Sequence, residues 1–141
     1  MGLCVSHGCF SGPYSSFGRF REAIACAAGI PLPLMAGFDY DARKFLLAHG
    51  GGIAGKIAAA TPIAWSTLAP DPIHALLDHS DCDGQIKHAD LLSLACRLED
   101  LAAKMRMPSA SMELRDHADD AMKFALGCHM AHAAGECLTF S

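Results

Sequence analysis

Apolar residues along this chain fall into three stretches with helical spacing. Residues 14–28 place Phe17, Phe20, Ile24 and Ala27 or Ala28 three and four positions apart, the repeat of one helix face. Gly29 follows as a stop signal, and Pro31 and Pro33 prevent continuation. Residues 88–105 carry Leu91, Leu94, Leu98, Leu101 and Met105 in the same rhythm. Residues 112–134 repeat it with Leu114, Ala118, Ala121, Ala125 and Cys128, and Gly135 closes that helix. Asp71-Pro72 opens a shorter helix, to about Asp78, with Asp as N-cap and Pro at the first helical position. The two ends of the chain read differently. Residues 2–6 and 136–140 are short, apolar and bounded by turns, and predict strands. A lone strand leaves its backbone groups unpaired, so the two are expected side by side in one sheet, covered by the 88–105 and 112–134 helices.

The remaining segments are less regular. Residues 7–13 read as a polar loop and residues 30–40 as extended or irregular. Residues 41–49 suit a short helix that Gly50-Gly51-Gly52 breaks. Residues 53–60 fit either periodicity, Pro62 ends them, and 61–66 suits a short strand or edge segment. Residues 79–84 form a loop. The expected fold is α+β: a mostly helical single domain over residues 1–141, with a small sheet that includes both termini.

Composition narrows the class. A length of 141 residues is an ordinary domain size, and 52% apolar residues are enough for a core. Charged residues are only 18%, below the roughly 25% of typical soluble domains, which suits a homo-oligomer. The net charge is −4, with 11 basic residues scattered along the chain, so binding of duplex nucleic acid through a basic face is not expected. A small anion needs only one or two Arg. The seven Cys are an odd number, the start of the chain lacks a basic, apolar leader, and free thiols in a reducing, cytoplasmic compartment are expected. No stretch reaches the roughly 20 apolar residues of a membrane span.

Candidate chemistry lies in two polar segments. The first runs from Ser6 to Arg21 and contains Gly8, Gly12 and Gly18. Glycines let a backbone approach a ligand, and a helix N-terminus presents N–H groups to an anion. Ser6, His7, Arg19 and Arg21 add donors, and Phe10 or Tyr14 offers a ring on which a base stacks. A helix cap followed by an amphipathic helix with solvated Arg accounts for the same residues. Arg21 follows Phe20 and stands four positions after Phe17, so the apolar face either turns it inward or leaves it at the rim. The second segment is His79-Ser80-Asp81-Cys82-Asp83-Gly84. His79, Asp81 and Asp83 suit reading of hydrogen-bond donors, or a metal and an activated water. An Asp-Gly turn between helices explains them equally. It is no EF-hand, because Ile86 and Leu92 stand where Gly and Glu are required.

Two further patterns lead nowhere. Cys4, His7, Cys9, Cys128, His129 and His132 are metal-ligand types, but the spacing is not that of a zinc module, and Cys128 lies on an apolar stripe. No metal or cofactor is expected. Gly50 to Lys56 fits G-x-x-x-x-G-K but lacks the following Ser or Thr and the strand before it.

The opening residues 1–21, with His7-Gly8-Cys9-Phe10-Ser11-Gly12-Pro13-Tyr14, the block Leu76-Leu77-Asp78-His79-Ser80-Asp81-Cys82-Asp83-Gly84-Gln85-Ile86 and the closing residues 124–140 together resemble a family of small phage and prophage proteins. The three blocks stand in the family's order. In that pattern positions 4, 20 and 85 are often Asp, Trp and Glu, where this chain has Cys4, Phe20 and Gln85. If those acids hold metal in relatives, this chain departs from it. The resemblance implies a phage protein, and phage proteins of this size commonly inhibit host defence. The expected activity is sequestration of a small nucleotide signal without turnover, with Ser6, His7, Phe10, Tyr14, Arg19, Arg21, His79, Asp81 and Asp83 as contacts. Arg19 and Arg21 would pair phosphate, and Asp81 and Asp83 would read ribose or base donors. A metal-dependent nucleotide hydrolase built on His79, Asp81 and Asp83 and an inhibitor that binds a host defence protein directly are the alternatives.

Overall fold

A computed structural model describes residues 2–38, 62–79 and 83–141. The elements are β1 (Gly2–Val5), β2 (Phe10–Pro13), α1 (Tyr14–Ala28), α2 (His74–Leu77), β3 (Gly84–Ile86), α3 (His88–Met105), α4 (Met112–Ala134) and β4 (Leu138–Phe140). The chain groups into two compact units, residues 30–70 and the remainder. The helices and the sheet all lie in the larger unit, so the fold is α+β.

The sheet has the order β2-β1-β4-β3, and every neighbouring pair is antiparallel. The two chain ends therefore pair, as their patterning predicts. Val5 faces Phe140, and Cys4 and Ser141 exchange N–H···O bonds of 2.8 and 2.9 Å. Leu3, Val5, Leu138 and Phe140 point to the buried side, and Cys4 and Thr139 to the exposed side.

Two strands differ from the sequence reading. Residues 10–13, read as loop, form β2, which pairs with β1 from Gly2↔Pro13 to Val5↔Phe10. Ser-Gly-Pro has little strand propensity, but β2 is an edge strand, where a Pro is tolerated. The turn between them is a single 3-10 turn, Ser6–Gly8, in which His7 takes φ 57° and Gly8 φ 72°. Gly84, read as the end of the central loop, instead begins β3 on the opposite edge.

The three long helices match their patterns. Phe17, Phe20 and Ile24 of α1, Leu91, Leu94, Leu98, Leu101 and Met105 of α3, and Ala118, Ala121, Ala125 and Cys128 of α4 are all buried. Gly29 and Gly135 take the left-handed conformation just past α1 and α4, which lets their N–H groups close the last turns. Ser111 caps α4 by accepting from the Leu114 N–H. Asp71 caps the short α2 region, where its Oδ1 accepts from the Ile73 N–H at 3.0 Å. Arg97 of α3 donates to both oxygens of the same carboxylate at 3.1 and 3.2 Å. The cap is thus fastened to the next helix.

Within residues 30–70, a 3-10 turn covers Leu32–Leu34, and Met35 bridges Ile63 in parallel. Of the segment read as a strand over 61–66, Ile63 makes that one bridge, and Trp65 already begins a 3-10 turn, Trp65–Thr67. Trp65 Nε1 donates to the Ala36 carbonyl at 3.0 Å, and its ring stands edge-on to Phe38. The expected 41–49 helix, the glycine run and the G-x-x-x-x-G-K pattern lie outside the described residues. No helix among the described residues is long and apolar enough to cross a membrane.

Candidate functional site

Arg21 joins the two segments that carry the candidate chemistry. It is buried, with 3% of its surface exposed, although it is charged. Its Nη2 donates to the Leu77 carbonyl at 2.5 Å and to the His79 carbonyl at 2.6 Å. The guanidinium also lies 5.3 Å from the centre of the Phe17 ring, within the range of a cation–π contact. Helix α1 thereby grips the base of the 79–84 segment. The sequence places Arg21 beside the apolar face, and the structure turns it fully inward.

Arg19 is exposed. Two residues apart on an α-helix is about 200° of rotation, so Arg19 and Arg21 do not face one ligand. A two-arginine phosphate clamp is not formed here. Arg21 acts as a positioning residue.

His79 is half-buried at the other end of this contact. Its Nε2 lies 3.1 Å from the Gln85 carbonyl, and its ring stacks on Phe140 at 4.1 Å. These contacts tie His79 to β3 and β4. Gly84 takes φ 99° directly beside the His79 ring, where a side chain would be strained and crowded. Asp83 is exposed. Asp81 lies outside the described residues.

The N-terminal candidates are drawn into the fold. Ser6 Oγ accepts from the Thr139 N–H at 2.9 Å. His7 Nε2 lies 3.3 Å from the Glu136 carboxylate. Phe10 packs its ring against Phe17 at 5.0 Å and Phe20 at 6.4 Å. Tyr14 is half-buried at the first turn of α1. Ser6, His7 and Phe10 thus hold the β1–β2 hairpin onto β4 and α1, and the structure leaves the 79–84 segment as the polar candidate with an exposed Asp.

The Cys and His residues near the termini disperse. Cys9 and Cys128 are buried, and Cys9 Sγ donates to the Phe124 carbonyl at 3.4 Å. The hydrogen bond with Cys128, reinforced by burial, pushes the Cys9 thiol far above the ordinary thiol range, so it stays protonated. Cys4 lies on the exposed side of the sheet. His132 stacks on His88 at 4.7 Å, and His129 pairs with Glu99 at 2.5 Å. Among the described residues, no three His, Cys, Asp or Glu side chains are grouped to hold a metal ion.

Among the described residues, two cavities lie elsewhere. One of about 280 Å³ lies between the end of α1 and the α3–α4 connection, lined by Cys26, Lys104, Ser109 and Leu114 among others. Lys104 there donates to the Ala27 carbonyl at 2.9 Å, a cation at a helix C-terminus. The other, about 340 Å³, is lined by Asp71, Pro72, Ala75, Asp90 and Ser93. Neither includes a residue of the two candidate segments. No protein-family model matches the chain, and no match is found among curated proteins or solved structures.

Proposed function

We propose that the protein is a phage-type inhibitor of host antiviral defence that holds a small nucleotide at the 79–84 segment without turning it over. The observation that carries this reading is the Arg21 contact with the Leu77 and His79 carbonyls. It fixes Leu77 and His79, the residues that lead into the acidic segment, on a buried base, and a fixed entry of this kind reduces the ordering cost of binding. Carboxylates accept hydrogen bonds and donate none when ionised, so Asp81 and Asp83 suit the amino group of a base and the hydroxyls of a ribose. Because Arg19 and Arg21 do not converge, recognition rests on the base and ribose more than on phosphate.

Equilibrium binding to a panel of cyclic and linear nucleotides tests this reading. At least one member is expected to bind, with Asp81→Ala and Asp83→Ala each weakening it at least about tenfold, a loss of roughly 1.4 kcal/mol. Absence of binding across the panel defeats the proposal. Turnover of a panel member in the presence of Mn²⁺ or Mg²⁺ replaces it with the hydrolase alternative.

A second reading, direct inhibition of a host defence protein, is favoured by one observation. Leu92, Met122, Leu126 and Met130 are exposed large apolar side chains on α3 and α4. A lysate pull-down that recovers one stoichiometric host partner, lost on substitution of Leu126, supports it.

A further inference from the structure

Helices α3 and α4 pack along each other, and each has a second apolar stripe on its outer side. On α3 the stripe is Leu92, Cys96 and Ala103, and on α4 it is Met122, Leu126 and Met130, all exposed. Leu92 is 46%, Leu126 61% and Met130 51% accessible. The spacing of three, four or seven places each set on one helix face. The inner faces of both helices are already filled by the core, so this stripe has no partner of its own within the described residues. Exposed large apolar side chains grouped on one helix face mark interaction sites, whereas singly scattered ones need no partner. Two polar contacts cross the same face: a hydrogen bond between Glu99 and His129 at 2.5 Å, and an ion pair between Arg106 and Asp119 at 2.6 Å.

We propose that this face is a self-association surface, on which a second copy of the chain seats its own α3–α4 pair with the two α4 helices antiparallel. The charges select both the occupant and the direction. The first half of α4 carries Glu113, Asp116, Asp119 and Asp120 against Arg115 and Lys123. Residues 124–134 carry no Asp, Glu, Lys or Arg, and their titratable side chains besides Cys128 are His129 and His132. A parallel pairing sets Asp119, whose side chain is 91% exposed, against its own copy. Like charges so placed oppose association. An antiparallel pairing about a two-fold axis near residue 124 sets Met122 against the partner subunit's Leu126 and Asp119 against the partner subunit's His129. Each contact then occurs twice, as an isologous interface requires.

The atoms for that second contact remain. Asp119 gives Oδ1 to Arg106 and keeps Oδ2, and His129 gives Nε2 to Glu99 and keeps Nδ1. Arg115 meanwhile comes to the last turn of the partner's α4, where a helix favours a cation. An anionic membrane surface is the poorer occupant, since Glu99 and Asp119 stand on this face beside Arg106 and Arg115, which leaves it without the basic excess that such surfaces attract. The resulting arrangement is a four-helix bundle across the two-fold axis. The inference does not depend on the nucleotide reading.

Sedimentation velocity of the full chain over a concentration series is the test, with circular dichroism to confirm that each variant folds. The wild type is expected to dimerise reversibly. Leu126→Asp should weaken the dimer at least about tenfold without loss of helix. Asp119→His and His129→Asp should each weaken it singly, and the double swap should recover most of the wild-type association. The swap breaks both intrachain pairs, so a purely intrachain role predicts a further loss instead. A wild type that stays monomeric up to its solubility limit, a dimer indifferent to Leu126→Asp, or a swap that recovers nothing overturns the proposal. A monomer also returns the face to the host-protein reading.

Discussion

The guanidinium of Arg21 donates to the Leu77 carbonyl at 2.5 Å, across 56 positions of the chain, from a site that is almost fully buried. A buried charge is costly unless it is hydrogen-bonded, so the contact is part of the fold. Hydrogen bonds to charged groups are worth about 1.5–3 kcal/mol each. Arg21→Ala is therefore expected to destabilise the protein by about 3 kcal/mol or more. Arg19→Ala, on the exposed side of α1, should change stability by less than about 0.5 kcal/mol. Chemical denaturation of the two variants checks this, and equal effects would contradict the assignment.

Gly127 fixes how the hairpin sits on α4. A Cβ there would collide with Cys9 Sγ and come within 3.0 Å of the His7 carbonyl and 3.2 Å of the Cys9 Cα. Alanine gains at most about 1 kcal/mol of helix propensity, while overpacking a core costs about 1–3 kcal/mol. Two of the obstructing atoms are backbone, which yields little, so the cost prevails. Gly127→Ala should lower the melting temperature by several degrees. An unchanged or raised melting temperature contradicts the packing described.

Asp71 makes stability depend on acid. Burial alone would raise its carboxyl, but the Arg97 hydrogen bond, the Ile73 N–H and the charges of Arg97 and His74 outweigh burial and hold it below the usual value. A carboxyl depressed in the folded state contributes stability that is fully present above its unfolded value of about 3.9 and is lost as pH falls through the folded value. Asp71→Asn keeps an oxygen for the Ile73 N–H but loses the charge that pairs with Arg97, and should cost about 1 kcal/mol near neutral pH, with the difference from wild type shrinking below about pH 4. Melting curves at several pH values measure it. A difference independent of pH argues against the ionised cap.

Much of this fold is legible in the sequence, for physical reasons. The boundaries of α1, α3 and α4 follow from apolar spacing and from Gly29 and Gly135, which are local signals. The pairing of the chain ends follows from the need to satisfy short strands. Strands β2 and β3 are not legible. Ser11-Gly12-Pro13 and Gly84-Gln85 carry weak local preference, and their extended form is imposed by β1 and β4 beside them. The candidate site is legible only in outline. Spacing identifies two polar segments and leaves Arg21 between core and rim. It contains nothing to announce that Ser6 serves Thr139, that His7 meets Glu136, or that Asp71 meets Arg97, because those partners are distant in sequence.

The cysteines give an independent check on packing. All six described cysteines are free: Cys4, Cys26 and Cys96 are exposed, Cys137 is half-buried, and Cys9 and Cys128 are buried. Titration of the denatured, unreduced protein should count close to seven thiols. In the native protein Cys4 and Cys26 should react readily and Cys96 should do so in the monomer, while Cys9 and Cys128 wait for unfolding, since only the thiolate attacks and Cys9 is held protonated. Rapid native labelling of Cys9 would show that the hairpin does not rest on α4 as described.

The proposal that the 79–84 segment holds a nucleotide meets its most direct test in native mass spectrometry of protein purified from a defence-active bacterial host. The account predicts a retained mass that matches a nucleotide, bound in a fixed ratio to the chain and lost in Asp83→Ala. Protein that carries no such mass, and acquires none when the nucleotide panel is added, contradicts it.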